Sequence, residues 1–194
     1  MITVENQFFS LHTRHTSYLF RIMETGHLEH LYYGRKIHPS IDGLMEQHAF
    51  APGNTNIYDS GHPQFSLDDT CLEMSSLGKG DIREPFVELT LSDGSETSDF
   101  LFEKFKQGTG KEEFETLPGS YDESGEVERL SMTLRDKNSG VVLELHYYVY
   151  EDCDVITRSA KLINESGDAV KLNRLMSLQL DLEPSDYVFT TFHG

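Results

Sequence analysis

Apolar and polar residues alternate with period two through most of this chain, the mark of half-buried strands. Phe8 to Thr13 reads as a first strand, and Thr16 to Met23 as a second with Tyr18, Phe20 and Ile22 on one face. Glu24-Thr25-Gly26 turns the chain and Leu28 to Tyr33 returns, giving a β-hairpin. Pro85 to Leu91 and Asp99 to Lys106 read as a further pair, joined through Ser92-Asp93-Gly94. The last third alternates most cleanly. Leu130, Met132 and Leu134 share a face, as do Val141, Leu143, Leu145, Tyr147 and Val149. Val155 to Ile163 and Val170 to Leu180 follow, divided by the turn 164–168. No helical pattern of useful length occurs. The expected fold is all-β, an antiparallel two-sheet sandwich larger than an immunoglobulin domain.

Two stretches interrupt the alternation. Lys36 to Ser66 is punctuated by Pro39, Pro52, Gly53, Asn54, Asn56, Asp59, Gly61 and Pro63. Long loops inside a compact domain are usually functional or disordered. Phe65 to Glu88 is the least strand-like stretch between strand-rich regions, and it carries Asp68, Asp69, Glu73, Asp81, Arg83 and Glu84. A third loop, Gln107 to Glu126, is rich in Gly, Glu and Ser around Leu117-Pro118-Gly119 and reads as exposed. The chain stops at Thr191-Phe192-His193-Gly194 inside strand-like sequence, which reads as the cut edge of a longer sandwich.

Composition narrows the function classes. A length of 194 residues, 37% of them hydrophobic and 25% charged, suits a globular domain with its own core. A net charge of −17 argues against nucleic acid and against anionic membrane surfaces, and leaves room for a neutral ligand such as a sugar. Cys71 and Cys153 read as unbridged thiols. The first fifteen residues lack the pattern of a signal peptide, and no run reaches the length of a membrane span, so a cytoplasmic protein is expected.

Candidate chemistry is sparse. His12 with His15, and His27 with His30, stand three apart, which on strands puts them on opposite faces. Neither pair can chelate a metal locally; these histidines and His146 read as solvated, and no metal or cofactor is expected. Carboxylates are so abundant that no catalytic pair stands out. Arg158 is more informative because it shares a face with Ile156, Ala160 and Leu162. A guanidinium there needs a carboxylate or carbonyl partners, so a buried ion pair is expected. Asp81 and Arg83 are expected to form a structural ion pair within their loop.

Three segments, in order, carry a resemblance. They are Leu31-Tyr32-Tyr33-Gly34-Arg35-Lys36, then Phe65-Ser66-Leu67-Asp68 with Gly80-Asp81-Ile82-Arg83-Glu84-Pro85, then Asp154 to Asn164 (DVITRSAKLIN). Their order and spacing make the chain similar to the N-terminal domain of bacterial α-galactosidases of glycoside hydrolase family 36. The resemblance implies a β-supersandwich of the galactose mutarotase type, incomplete at its C-terminal end, over residues 1–194. It implies a (β/α)8 barrel beyond residue 194 that carries two catalytic aspartates and hydrolyses terminal α-galactosides such as melibiose and raffinose with retention. The family's Lys-Trp-Asp nucleophile motif is not here, since the chain has no tryptophan, so no catalytic residue is expected in it. Tetrameric relatives imply a homo-oligomer in which the loop matching 48–68 reaches a neighbour's pocket. The Arg that relatives carry two residues before Phe65 is Pro63 here, which leaves Asp59 as the candidate hydroxyl acceptor for substrate. The alternative is a stand-alone carbohydrate-binding or oligomerisation sandwich.

Overall fold

A computed structural model describes residues 1–38, 43–44, 56–114, 116, 118–182 and 186–192. The strands are β1 (Ile2–Glu5), β2 (Phe8–His12), β3 (Thr16–Ile22), β4 (Leu28–Arg35), β5 (Val87–Thr90), β6 (Phe100–Thr109), β7 (Glu128–Asp136), β8 (Val142–Tyr150), β9 (Val155–Ile163) and β10 (Lys171–Leu175). One antiparallel sheet has the order β1-β2-β3-β4, a second β6-β7-β8-β9, and β5 pairs with β10. Neighbouring strands in each large sheet are consecutive in sequence, so simple hairpin connections build both.

Strand β1 has no counterpart in the alternation pattern, because four residues are too few to establish a period. It is held by the turn Asn6-Gln7, where both residues take positive φ (46° and 69°), the twist that a two-residue hairpin requires. The expected strand 170–180 is cut short. The backbone N–H of Met176 bonds to the Phe86 carbonyl, and residues 176–182 then leave the pairing. Gln179 and Asp181 instead accept hydrogen bonds from Ser75 and from the Leu72 N–H, so loop partners displace the ladder.

The core lies between the two four-stranded sheets. Phe9, Leu11, Tyr18 and Phe20 meet Leu130, Met132, Leu134, Leu143, Leu145 and Tyr147, with Val87 and Leu89 of β5 in the same cluster. Stacked rings cross the interface: Phe9 lies on Phe20 at 4.9 Å and Phe20 on Tyr147 at 5.2 Å. Each such side chain contributes about 1.5–3 kcal/mol on leaving water. A smaller cluster of Tyr58, Leu67 and Leu72 anchors the loop region against the edge of β4.

Candidate functional site

The segment after Leu67 is drawn inwards by backbone bonds to β4. The His30 N–H donates to the Cys71 carbonyl at 2.9 Å, and the Glu73 N–H to the Leu28 carbonyl at 3.0 Å. This pairing turns Glu73 into the core, where it is fully buried. Its carboxylate accepts from Tyr18 Oη at 2.8 Å and Tyr147 Oη at 2.6 Å, and meets His30 Nδ1 at 2.8 Å. Arg158 Nη1 lies 3.1 Å from Glu73 Oε2, and Arg158 Nη2 donates to the Glu73 carbonyl. The guanidinium also sits 5.0 Å from the centre of the Tyr147 ring. Burial by itself would raise the Glu73 carboxyl, but the Arg158 charge and the His30 and Tyr147 hydrogen bonds hold it below its ordinary range. Burial and the Glu73 charge push the phenols of Tyr18 and Tyr147 well up, so both remain donors.

Arg83 forms a second node. It donates to both oxygens of Asp81, to the carbonyls of Leu67 and Thr70, and to Asp181 Oδ2 at 2.6 Å. The expected Asp81–Arg83 pair is therefore present, and the same guanidinium also ties residues 67–70 to the segment after β10. In a third node, Asp99 accepts from Tyr58 Oη at 2.8 Å and faces His27 Nε2 at 3.2 Å. Burial tends to raise the Asp99 carboxyl, and its His27 and Tyr58 hydrogen bonds outweigh that and hold it down.

Three histidines correct the sequence reading. His27, His30 and His146 are buried, not solvated. His30 is two residues from Leu28 and takes an inward position opposite Phe20. His27 packs edge-on to Tyr58 at 4.8 Å. His146 does lie on the outer face of β8, but the connection between β6 and β7 folds near that face, and Ser131 Oγ pairs with His146 Nδ1 at 2.9 Å. Among the described residues, no three His, Cys, Asp or Glu side chains come together as metal ligands. Cys71 and Cys153 form no disulfide.

Asp59 stands in a turn at the surface. Its Oδ1 accepts from the N–H groups of Gly61 and His62, both at 2.9 Å, and meets His62 Nδ1 at 2.8 Å. The His62 ring holds this carboxyl below its ordinary value. Most of the first half of the 48–68 loop lies outside the described residues.

The buried carboxylates thus share one trait. Glu29, Glu73, Asp81, Asp99 and Asp136 each accept hydrogen bonds or pair with a cation inside the domain. Retaining glycoside chemistry needs two carboxyls about 5–5.5 Å apart facing a substrate cleft, one of them with a raised pKa. Glu73 and Asp99, held down and shut off from solvent, are suited to holding a scaffold together.

These shifts fix how stability varies with acid. Hydrogen bonds from His15 and Thr13 lower the Asp154 carboxyl from 3.8 to about 2. A carboxyl depressed by folding supports the folded state above its ordinary pKa and loses that support as pH falls through the depressed value. His12 and His146, both lowered chiefly by burial, work in the same direction from their ordinary value of 6.5 downwards. The melting midpoint is expected to fall as pH drops below about 6, and more steeply below about 4. A midpoint that rises between pH 5 and pH 3 contradicts these assignments.

The architecture is an antiparallel β-supersandwich with the Glu73–Arg158 ion pair turned inwards. The chain belongs to the glycosyl hydrolase family 36 N-terminal domain, whose family model matches residues 26–194. It is 33% identical over 187 residues to the bifunctional alpha-galactosidase/sucrose kinase AgaSK of Mediterraneibacter gnavus, covering 96% of this chain and 20% of that protein. It is 32% identical to an alpha-galactosidase of Lactobacillus acidophilus, covering 98% of this chain and 26% of the relative. Among solved structures, the alpha-galactosidase AgaA of Geobacillus stearothermophilus in complex with raffinose superposes with a TM-score of 0.86 at 30% identity. That match covers 93% of this chain and 25% of AgaA. The chain thus spans a fifth to about a quarter of the length of these three relatives.

Proposed function

We propose that this chain is the non-catalytic N-terminal part of a cytoplasmic alpha-galactosidase. The parent enzyme hydrolyses terminal α-D-galactosides of the melibiose and raffinose type with retention. The domain serves as the platform on which the catalytic barrel packs and through which subunits associate, with the 48–68 loop and Asp59 at the rim of the pocket. The relatives of known name are alpha-galactosidases about four to five times as long, which supports a further catalytic part.

The observation that carries the platform role is the distribution of exposed apolar side chains. Leu172, Met176 and Leu178 are about half exposed, and Tyr187, Val188, Phe189 and Phe192 are more exposed still, Phe189 and Phe192 at 92%. Large apolar groups gathered on one stretch mark a surface that another body covers. The catalytic part of the same polypeptide is the occupant proposed. Hydrogen exchange over residues 171–192 should slow strongly in the longer protein relative to the 194-residue chain. Equal exchange in both would remove the platform reading.

A further inference from the structure

Residues 56–65 are held to the domain chiefly by one side chain. Tyr58 alone among them is buried, at 6% exposure, while its neighbour Ile57 is 40% exposed. The loop closes on itself through its backbone. The Tyr58 N–H donates to the Phe65 carbonyl at 2.9 Å, the Phe65 N–H to the His62 carbonyl at 3.0 Å, and the His62 N–H to the Asp59 carbonyl at 3.2 Å. So short a loop has no core of its own, and these bonds persist only while the Tyr58 ring is seated.

The seat is polar at its base. Tyr58 Oη donates to Asp99 Oδ2 at 2.8 Å, and Asp99 Oδ1 faces His27 Nε2 at 3.2 Å. Asp99 and His27 are both buried. Each is fixed in turn. Asp99 stands just before β6 with its N–H bonded to Asp136 Oδ1 at 2.6 Å, and His27 Nδ1 meets Thr25 Oγ1 at 2.9 Å in the turn before β4. On the ring itself, the turn Gly78-Lys79-Gly80 takes φ of 102°, 59° and 83° and lays Lys79 Nζ 4.8 Å from the Tyr58 centre. A positive φ is uncommon for lysine, so the turn is held in place by what surrounds it. A phenylalanine would meet the packing need alone. Burying a carboxylate is costly, and a fully satisfied buried network selects one arrangement over its neighbours. Here the two side-chain donors to Asp99 come from separate loops, so the network fixes one loop against the other. The residue that follows Tyr58 is Asp59, and its place is inherited from that seat.

We propose that Tyr58, seated on Asp99 and His27, is a positioning residue that sets where Asp59 stands and so governs substrate affinity rather than turnover. This inference rests on the reading that the 48–68 loop lies at the rim of a galactoside pocket. The test uses Y58F, which keeps the ring and removes only the hydroxyl. In the 194-residue chain, exchange at the bonded amides of Tyr58, Gly61, His62 and Phe65 should quicken about tenfold to a hundredfold, the worth of one hydrogen bond to a charged group, and stay unchanged in β7 and β8. In the longer protein, KM for melibiose should rise about threefold to tenfold with kcat within about twofold, because the loop is in place for a smaller fraction of the time. Y58F/D59A should then be no worse than D59A, since Tyr58 acts through Asp59. Unchanged exchange in the loop would overturn the proposal, as would quickened exchange throughout the domain, a fall in kcat in step with kcat/KM, or additive losses in the double variant. A raised KM in D59A with none in Y58F would overturn it and leave the rim reading standing. An unchanged KM in both variants would remove the rim reading and this inference with it.

Discussion

Replacing Glu73 by Ala should lower the stability of the chain by about 3–5 kcal/mol, the range for removing one partner of a buried ion pair. Glu73 is fully buried, and four side chains depend on its carboxylate: Tyr18, His30, Tyr147 and Arg158. Without it the Arg158 charge is stranded between Tyr147 and Phe86. Burying a charge with no counter-charge is among the most unfavourable events in a core. Domains are typically stable by only about 5–15 kcal/mol, so a loss of this size removes a large fraction of the total. E73Q keeps the shape but not the charge, and should be nearly as damaging for the same reason. Denaturant unfolding measures both variants. A loss under about 1 kcal/mol for E73A would mean that the knot is incidental to folding.

The second large effect is expected at Arg83. R83A should lower stability by about 2–3 kcal/mol, because hydrogen bonds to charged groups are individually strong but not additive. The value stands below that for Glu73 because the Arg83 side chain is 24% exposed, which lets water screen its charge. The damage should be local. Arg83 joins Asp81, the carbonyls of Leu67 and Thr70, and Asp181, so its loss frees the loop from the segment after β10. Hydrogen exchange should quicken at Thr70, Leu72 and Asp81 and stay slow in β7 and β8. R83K should recover little, since an ammonium cannot reproduce the planar fork that meets Asp81 through two nitrogens. Uniform loss of protection across the domain would instead assign Arg83 to the global core.

The strands were legible because alternation is a local property, and nine of the ten begin within two residues of the pattern's reading. Arg158 was legible for the same reason: a guanidinium on an apolar face demands an acidic partner, and Glu73 is that partner. The identity of the partner was not legible. Glu73 shares its loop with Asp68, Asp69 and Glu84, and only the backbone pairing of residues 71–73 with β4 selects it. His30 carried a signal that was available, since it alternates with Leu28 and should have been placed inwards. His146 carried none, because its cover comes from a connection some twenty-five residues earlier in the chain, which folds back near the outer face. Asp59 is held by its own turn, as Asp before Ser-Gly-His invites. Alternation also overran at β10, where hydrogen bonds that Gln179 and Asp181 accept from the loop displaced a ladder that side-chain pattern alone would have continued.

Under the proposed function, the carboxylates of this chain build a scaffold and hydrolysis belongs to a catalytic part outside it. The measurement to make is hydrolysis of a chromogenic α-galactoside, run side by side on the 194-residue chain and on a longer protein that contains it. Turnover by the longer protein, and none above the blank by the chain alone, is the expected result. Chromophore release by the chain itself would contradict it, and would return the carboxylates between Asp59 and Glu84 to candidacy as catalytic groups.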